Sequence, residues 1–434
     1  LSETWSVEEH LEDILRSVRP LEPIELQLLD AQGCVLVDEV TVPASLPPFD
    51  NSSMDGYAVR IADVEGSTEE FPAVLTVLGD VAAGSTAAPA VGPGQAARIM
   101  TGAPLPPGAE AVVPVEWTDG GAGGGPAQAM APRAADPGGA SGEVRVHRPV
   151  AAGQYVRERG SDVRSGSVAL TAGTVLGPPQ IGLLAALGYA SVRVRPHPRV
   201  VVISTGSELV QPGAPLAHGQ IHDSNSFVLT AAARAAGALA YRVGAVSDDP
   251  DTLRAAVEDQ LIRADIIVTS GGVSVGAYDV VKEALSSIDG ADGSVDFRRL
   301  AMQPGKPQGF GLIGSERTPL LALPGNPVSS YVSFELFVRP AIRALMGRDP
   351  VRRPALPAVL AGEGVRSSPA GKRQFLRGAY EAPGPGEKRG AVRAVGGAGS
   401  HLVAALAQAD ALIVVPEETE ELTPGDEVEV LLLD

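Results

Sequence analysis

VVISTGSEL (201–209), DIIVTSGGVSVGAYD (265–279) and LLALPGNPVSS (320–330) share one pattern. Each is a short apolar, β-branched run that stops at small residues and glycine or proline, where a helix can start. Strands buried on both faces of a parallel sheet read as such continuous apolar runs. Helical patterns between them make parallel crossovers the natural connection. Loops leaving the carboxyl ends of such strands form the ligand crevice of an open α/β sheet. The predicted rim carries Thr205, Ser207, Ser270, Gly271, Gly272, Ser274 and Asn326, with the acids Glu208 and Asp279. Small residues let a ligand approach the backbone, and free amides at helix starts suit anions. The rim predicts a polar, phosphorylated ligand.

Working outward, DSNSFVLTAAARAAGA (223–238) and DPDTLRAAVEDQLIRA (249–264) read as the clearer helices of this domain, and Pro327 starts another that runs to about Met346. Residues 6–19 fit an amphipathic helix with a Ser6–Glu9 capping box. Between about 21 and 118 the chain is short strands and Pro/Gly turns, and the low-complexity run 119–142 reads as a flexible loop. After a linker-like GRDPVRRPALPAV (347–359), short strands and turns predict a small β-barrel or sandwich.

The whole chain sets limits on chemistry. At 434 residues it needs two to four domains. Its 34 basic and 52 acidic residues give a net charge of −18, which argues against nonspecific binding to nucleic acid or anionic membrane. Cys34 is the only cysteine, so no internal disulfide or thiolate-rich zinc site can form. No apolar run approaches a membrane span, and LSETWSVEEHLEDIL lacks a signal peptide's charged and apolar regions; the expectation is a soluble cytoplasmic protein.

Each candidate has a plainer reading. Asp55-Gly56 in MDGYAVR and Thr101-Gly102 in RIMTGAP support only turns when taken alone. Asp223, Asp248 and Asp249 can serve as caps or first-turn acids favoured by a helix dipole. Glu208 and Asp279 lie on the rim itself, and carboxylates beside phosphates usually need Mg²⁺ between them, so a metal-assisted phosphate ligand is expected. Lys306, between two prolines in AMQPGKP, can present an ammonium to an oxyanion or be merely solvated. Asn326 in LPGNP suits both capping and anion binding. GVSVG (272–276) matches G-x-S-x-G, but Ser274 falls past the strand end and only His401 follows it, which disfavours a serine hydrolase. No GxxxxGK[ST] occurs, which removes the P-loop reading.

Taken in order, FDNSSMDGYAVR, RIMTGAP, RERGSDV, STGSEL, DSNS, DDP, SGGVSVGAYD, PGKP, LPGNPVS, FLRG and GSH run from residue 49 to 401. This series resembles the MoeA-type molybdopterin molybdenumtransferases, relatives of the gephyrin E domain, over nearly the full chain. The resemblance implies a multidomain α/β plus β fold: a discontinuous linker domain (1–41 and 143–192), a β-rich inserted domain (42–142), a doubly wound molybdopterin-binding domain (193–346) and a C-terminal β-barrel (347–434). It implies a Mg²⁺-dependent reaction in which molybdate enters adenylylated molybdopterin, releasing AMP and molybdenum cofactor. It also implies a homodimer with sites shared between subunits, and molybdopterin adenylyltransferase and molybdoenzyme partners.

Carried over motif by motif, Thr205, Ser207, Ser270, Gly271, Gly272, Ser274, Pro324, Asn326 and Pro327 match the nucleotide–pterin crevice. Asp55, Thr101, Asp162, Glu208, Asp279 and Lys306 match residues important for activity. Glu208, Asp248 and Asp279 match the metal set, and Lys306, Arg377 and Ser400 the molybdate end. Some family members have lysine where this chain has Gln303, so one positive charge is missing there. A gephyrin-like scaffold on the same fold is the competing expectation, disfavoured by the presence of these charged residues. An adenylyltransferase alone would lack the flanking β-rich domains.

Overall fold

The computed structural model describes residues 4–128, 142–247, 249–272, 284, 294–364 and 368–433. The described chain divides into two compact units: residues 1–38, 173–181 and 191–434 in one, and 39–172 with 182–190 in the other. The expected loop 119–142 forms turns over 119–128, and residues 129–141 lie outside the described set.

The first unit is built on a seven-stranded sheet. Its order is Thr4–Trp5, Ser294–Leu300, Pro307–Ile313, Thr318–Leu323, Ile266–Ser270, Arg199–Thr205, Leu239–Val246. The last four strands are mutually parallel, as the apolar runs predict. Ser294–Leu300 and Pro307–Ile313 run antiparallel, an arrangement the sequence reading did not contain. The continuous apolar runs follow from burial of both faces. Val200, Val202, Ile266, Val268, Leu321 and Leu323 enter one core, with Leu229 and Ala233 of helix Asn225–Ala235. Their neighbours Val201, Ile203, Ile267, Leu320 and Ala322 enter another, with Leu253 and Val257 of helix Pro250–Leu261. Each such side chain contributes roughly 1.5–3 kcal/mol by leaving water, so the alternation of faces pins the register.

Register also levels the carboxyl ends. Ser204 pairs with Ser270, and Ser270 with Leu323, so three strands stop in one row. After the third, Pro327 opens a helical run: Pro327–Ser333, a π-helical segment Phe334–Val338, and Arg339–Leu345. At the other end of the chain, the capping box forms as expected. Ser6 N–H donates to the Glu9 carboxylate at 2.7 Å and Glu9 N–H to Ser6 Oγ at 3.1 Å. Trp5, at the sheet edge, lies 3.8 Å beneath the Arg298 guanidinium.

The C-terminal strands of the same unit close on themselves. Arg373–Glu381 pairs with Gly390–Ala394 on one side and Ala411–Val415 on the other, and Ala355–Ala361 and Glu427–Leu432 complete the ring. This is a five-stranded barrel around Leu360, Val392, Ile413 and Val430, and closure removes its edges. A short strand from the α/β part, Met302–Gln303, adds in parallel to Arg373–Gln374.

The second unit carries a separate five-stranded sheet, ordered Glu143–Val146, Ala73–Val81, Gln95–Ile99, Gly56–Val59, Ala111–Pro114. Glu143–Val146, just past the expected boundary at 142, is an edge strand of this sheet. Tyr57 is fully buried in it, and the Arg98 guanidinium is bidentate on Asp80 at 2.6 and 2.9 Å, both nearly inaccessible to solvent. Trp117 packs edge-on against Tyr155, with ring centroids 5.6 Å apart.

Candidate functional site

A cavity of about 660 Å³ opens where the parallel strands of the first unit end. Its floor is Thr205, Ser270 and Gly271, and its walls include Glu208, Asn225, Gly272 and Asn326. Thr205, Gly206 and Ser270 are buried, whereas Glu208 and Asn326 are exposed to it. The turn after Ile266–Ser270 demands glycine. Gly271 has φ +106°, and a Cβ there would lie 2.6 Å from Thr205 Oγ1 and nearer still to Thr205 O. Gly271 N–H is spent on Leu323 O at 3.2 Å, so this amide belongs to the scaffold.

The helix start behaves partly as expected. Asn326 is the N-cap and its side chain makes no capping bond, while Pro327 stands in the first turn. Val328 N–H is already taken by Ser400 O at 3.0 Å. Among the described residues, the N–H groups of Gly325 and Asn326 donate to nothing, which leaves both available to an anion.

The acids separate cleanly. Asp223 is fully buried and works locally: its carboxylate accepts from Ser204 Oγ at 2.9 Å, Ser226 N–H at 3.0 Å and Ser226 Oγ at 2.5 Å. Asp249 caps its helix through Thr252 N–H and Oγ1, and the hydroxyl and amide bonds of Thr252 hold its carboxyl below the usual range. Glu208 is different, because its exposed carboxylate makes no hydrogen bond or ion pair with any described group. Asp248, Ser274 and Asp279 lie outside the described residues. No group of three potential metal ligands occurs among the described residues. Among the described residues Glu208 is the carboxylate at this cavity left for a hard cation, a donor compatible with Mg²⁺ shared with a ligand's phosphates and waters.

No lysine or arginine lines this cavity among the described residues; His222 and His401 are its only basic side chains. Arg377 and Ser400 are instead linked through the loop 396–400 beside the barrel. Pairing of Met302–Gln303 with Arg373–Gln374 fastens the AMQPGKP turn beside the strand that carries Arg377. Arg377 is 2% exposed and donates to Gly399 O at 3.2 Å and to Gly397 O. Burial pulls its pKa below the ordinary arginine value, and among the described residues no carboxylate pairs with it and its Nε has no partner. A buried, unpaired guanidinium attracts an anion strongly. The loop it grips leads straight to Ser400, whose carbonyl meets the helix start at the cavity. Lys306 is exposed and does not line the cavity.

In the second unit, the Asp55 carboxylate accepts from Thr101 N–H at 2.7 Å and Thr101 Oγ1 at 2.9 Å, joining the two turns that read separately as ordinary. Asp162 is exposed there, with its N–H on Leu46 O. Ser207 is exposed on the rim beside Glu208, and Pro324 is buried behind Gly325. Asn225, which no motif reading singled out, bridges the two glycine turns.

Comparison with known proteins follows this geometry along the whole chain. Residues 5–188 match the family model described as "MoeA N-terminal region (domain I and II)", 201–344 match "Probable molybdopterin binding domain", and 361–433 match "MoeA C-terminal region (domain IV)". Molybdopterin molybdenumtransferase 2 of Mycobacterium tuberculosis is 43% identical over 427 residues, covering 98% of each chain. The chain belongs to the MoeA-type molybdopterin molybdenumtransferases. The Bacillus subtilis molybdopterin molybdenumtransferase is 35% identical over 94% of this chain and 89% of its own. The crystal structure titled molybdopterin biosynthesis moeA protein, from Pyrococcus horikosii, superposes with a TM-score of 0.76 at 31% identity, covering all of both chains. This MoeA-type chain is therefore an enzyme of molybdenum cofactor biosynthesis, and its closed barrel and mixed α/β sheet are parts of the MoeA-like multidomain fold.

Proposed function

We propose that this enzyme inserts molybdate into adenylylated molybdopterin, releasing AMP and molybdenum cofactor, with Mg²⁺ present. The observation that carries the reading is the loop 396–401, which ties an unpaired buried Arg377 to the wall of an amide- and hydroxyl-rimmed cavity. That link supports neighbouring places for a phosphate-bearing ligand and a tetrahedral oxyanion within one unit.

The residues divide the work by charge. Gly325 and Asn326 amides, with the Thr205 and Ser270 hydroxyls, orient the phosphates without adding cations. Glu208, with Asp279 and Asp248, would hold Mg²⁺, which neutralises the phosphates and eases cleavage of their anhydride. Arg377, Lys306 and Ser400 hold molybdate beside the dithiolene, a task suited to a fork of donors, an ammonium and a hydroxyl. Catalysis is then mainly positioning and charge neutralisation. Asp55, Thr101 and Asp162 belong to the same activity, brought to the crevice by the partner subunit of a homodimer.

The test is to add adenylylated molybdopterin, molybdate and Mg²⁺ and measure AMP release. Lys306→Ala and Asp279→Ala should abolish turnover while sedimentation still reports a dimer. Parental rates in both variants would overturn the site assignment.

A further inference from the structure

Asn225 begins the helix Asn225–Ala235 yet points its carboxamide away from any capping role. Its Nδ2 donates to Ser270 Oγ at 2.8 Å and to Gly325 O at 2.7 Å. Those acceptors lie on different chain segments, one at the end of the strand Ile266–Ser270 and one in the turn after Thr318–Leu323. The turns that follow the two strands run against each other here: a Cβ on Gly325 would lie 3.4 Å from Gly271 Cα. Ser270 Oγ, 1% exposed, also lies 3.1 Å from Ser330 Oγ and 3.4 Å from Pro324 O. Both N–H bonds of the amide are therefore spent on joining two segments, while Asn225 Oδ1 is buried without a partner. A buried acceptor left unpaired works against stability. The residue type makes sense through what its NH₂ group holds in place.

We propose that Asn225 is a positioning residue, whose NH₂ group sets the spacing of the two glycine turns so that the free amides of Gly325 and Asn326 meet a nucleotide phosphate. This rests on the reading of the cavity as a nucleotide site. The amide is the right chemistry because both of its acceptors are oxygens and both face a site for an anion. A carboxylate in its place meets Gly325 O with no proton to give and adds negative charge to the wall.

AMP binding to the full chain, measured by titration calorimetry from pH 8 to pH 5, tests it. The ionisable side chains Glu208, His222, Asp223 and His401 line the same cavity, so each variant is compared with the parent protein at every pH. Asn225→Ala should weaken AMP binding by about tenfold at all pH values, the equivalent of one lost hydrogen bond. Asn225→Asp should be weaker still at pH 8 and regain affinity relative to Asn225→Ala as the pH falls and a growing fraction of its carboxyl can again donate to Gly325 O. A merely structural role would give two variants with the same loss and no recovery, and that outcome overturns the proposal. So does parental affinity in both. A parent protein that does not bind AMP overturns the nucleotide reading together with the proposal, whereas binding indifferent to Asn225 overturns the proposal alone. If Asn225→Asp does not fold, Asn225→Ser decides the matter, since one hydroxyl can serve only one of the two acceptors and should bind AMP between the parent and Asn225→Ala.

Discussion

The Asp55 carboxylate and Thr101, separated by 46 positions in the chain, are joined by two hydrogen bonds to the same oxygen. One comes from the Thr101 amide and one from its hydroxyl, so the aspartate holds the second turn by both its backbone and its side chain. Asp55→Ala should lower unfolding stability by about 1–2 kcal/mol, and Thr101→Val by about 1 kcal/mol. A double-mutant cycle in urea should show a coupling energy near 1 kcal/mol. Additive losses would mean that the two turns stand independently.

Gly271→Ala places a methyl against Thr205 O at a backbone angle that non-glycine residues rarely adopt. The expected cost is about 2 kcal/mol or more, since the neighbour is backbone and cannot swing aside. Thermal unfolding checks the stability, and AMP titration should show affinity reduced at least tenfold. Unchanged values for both would remove the close approach from the account of the crevice.

Arg377→Lys keeps the charge and loses the fork. One ammonium cannot satisfy both Gly397 O and Gly399 O in the same geometry, so the loop that ends at Ser400 should loosen. Steady-state AMP release should show KM for molybdate raised by at least tenfold, with KM for the nucleotide ligand little altered. An equal rise in both would point to general disruption of the unit instead.

His10 packs between Phe310 and Phe337, and burial pushes its pKa down from 6.5 to about 3, with Arg298 adding to the effect and Asp13 opposing it. The folded chain therefore refuses a proton that the unfolded chain accepts. This contribution to stability is present in full above pH 6.5, declines as pH falls, and is exhausted near pH 3. His10→Phe should remove roughly 3 kcal/mol of the stability lost between pH 7 and pH 4. Urea titrations at the two pH values, parent against variant, measure that difference.

Where each face of a strand is buried, the composition of the run carries the signal, and Arg199–Thr205, Ile266–Ser270 and Thr318–Leu323 were legible for that reason. The antiparallel pair Ser294–Leu300 and Pro307–Ile313 was not, because SVDFRRL and PQGFGLI, interrupted by charges and glycines, lack a continuous apolar run although their pairing is local. The site shows the same division. Glycines at positive φ and a proline in the first helical turn announce themselves in sequence. The clamp of Asn225 and the bond from Asp55 to Thr101 join residues 45 and 46 positions apart, and nothing local marks them. Asp223 reads as a capping acid, and it caps: its buried carboxylate accepts from Ser226 N–H as well as from the Ser204 and Ser226 hydroxyls.

The chain holds two tryptophans, and they fall one to each compact unit: Trp5 under Arg298 in the first, Trp117 against Tyr155 in the second. Each indole is thus a built-in optical reporter for a different body. With Trp5→Phe or Trp117→Phe, emission followed through a denaturant series isolates the melting of one unit. Coincident midpoints would mark a single cooperative molecule, and separated ones would order the two units by resilience.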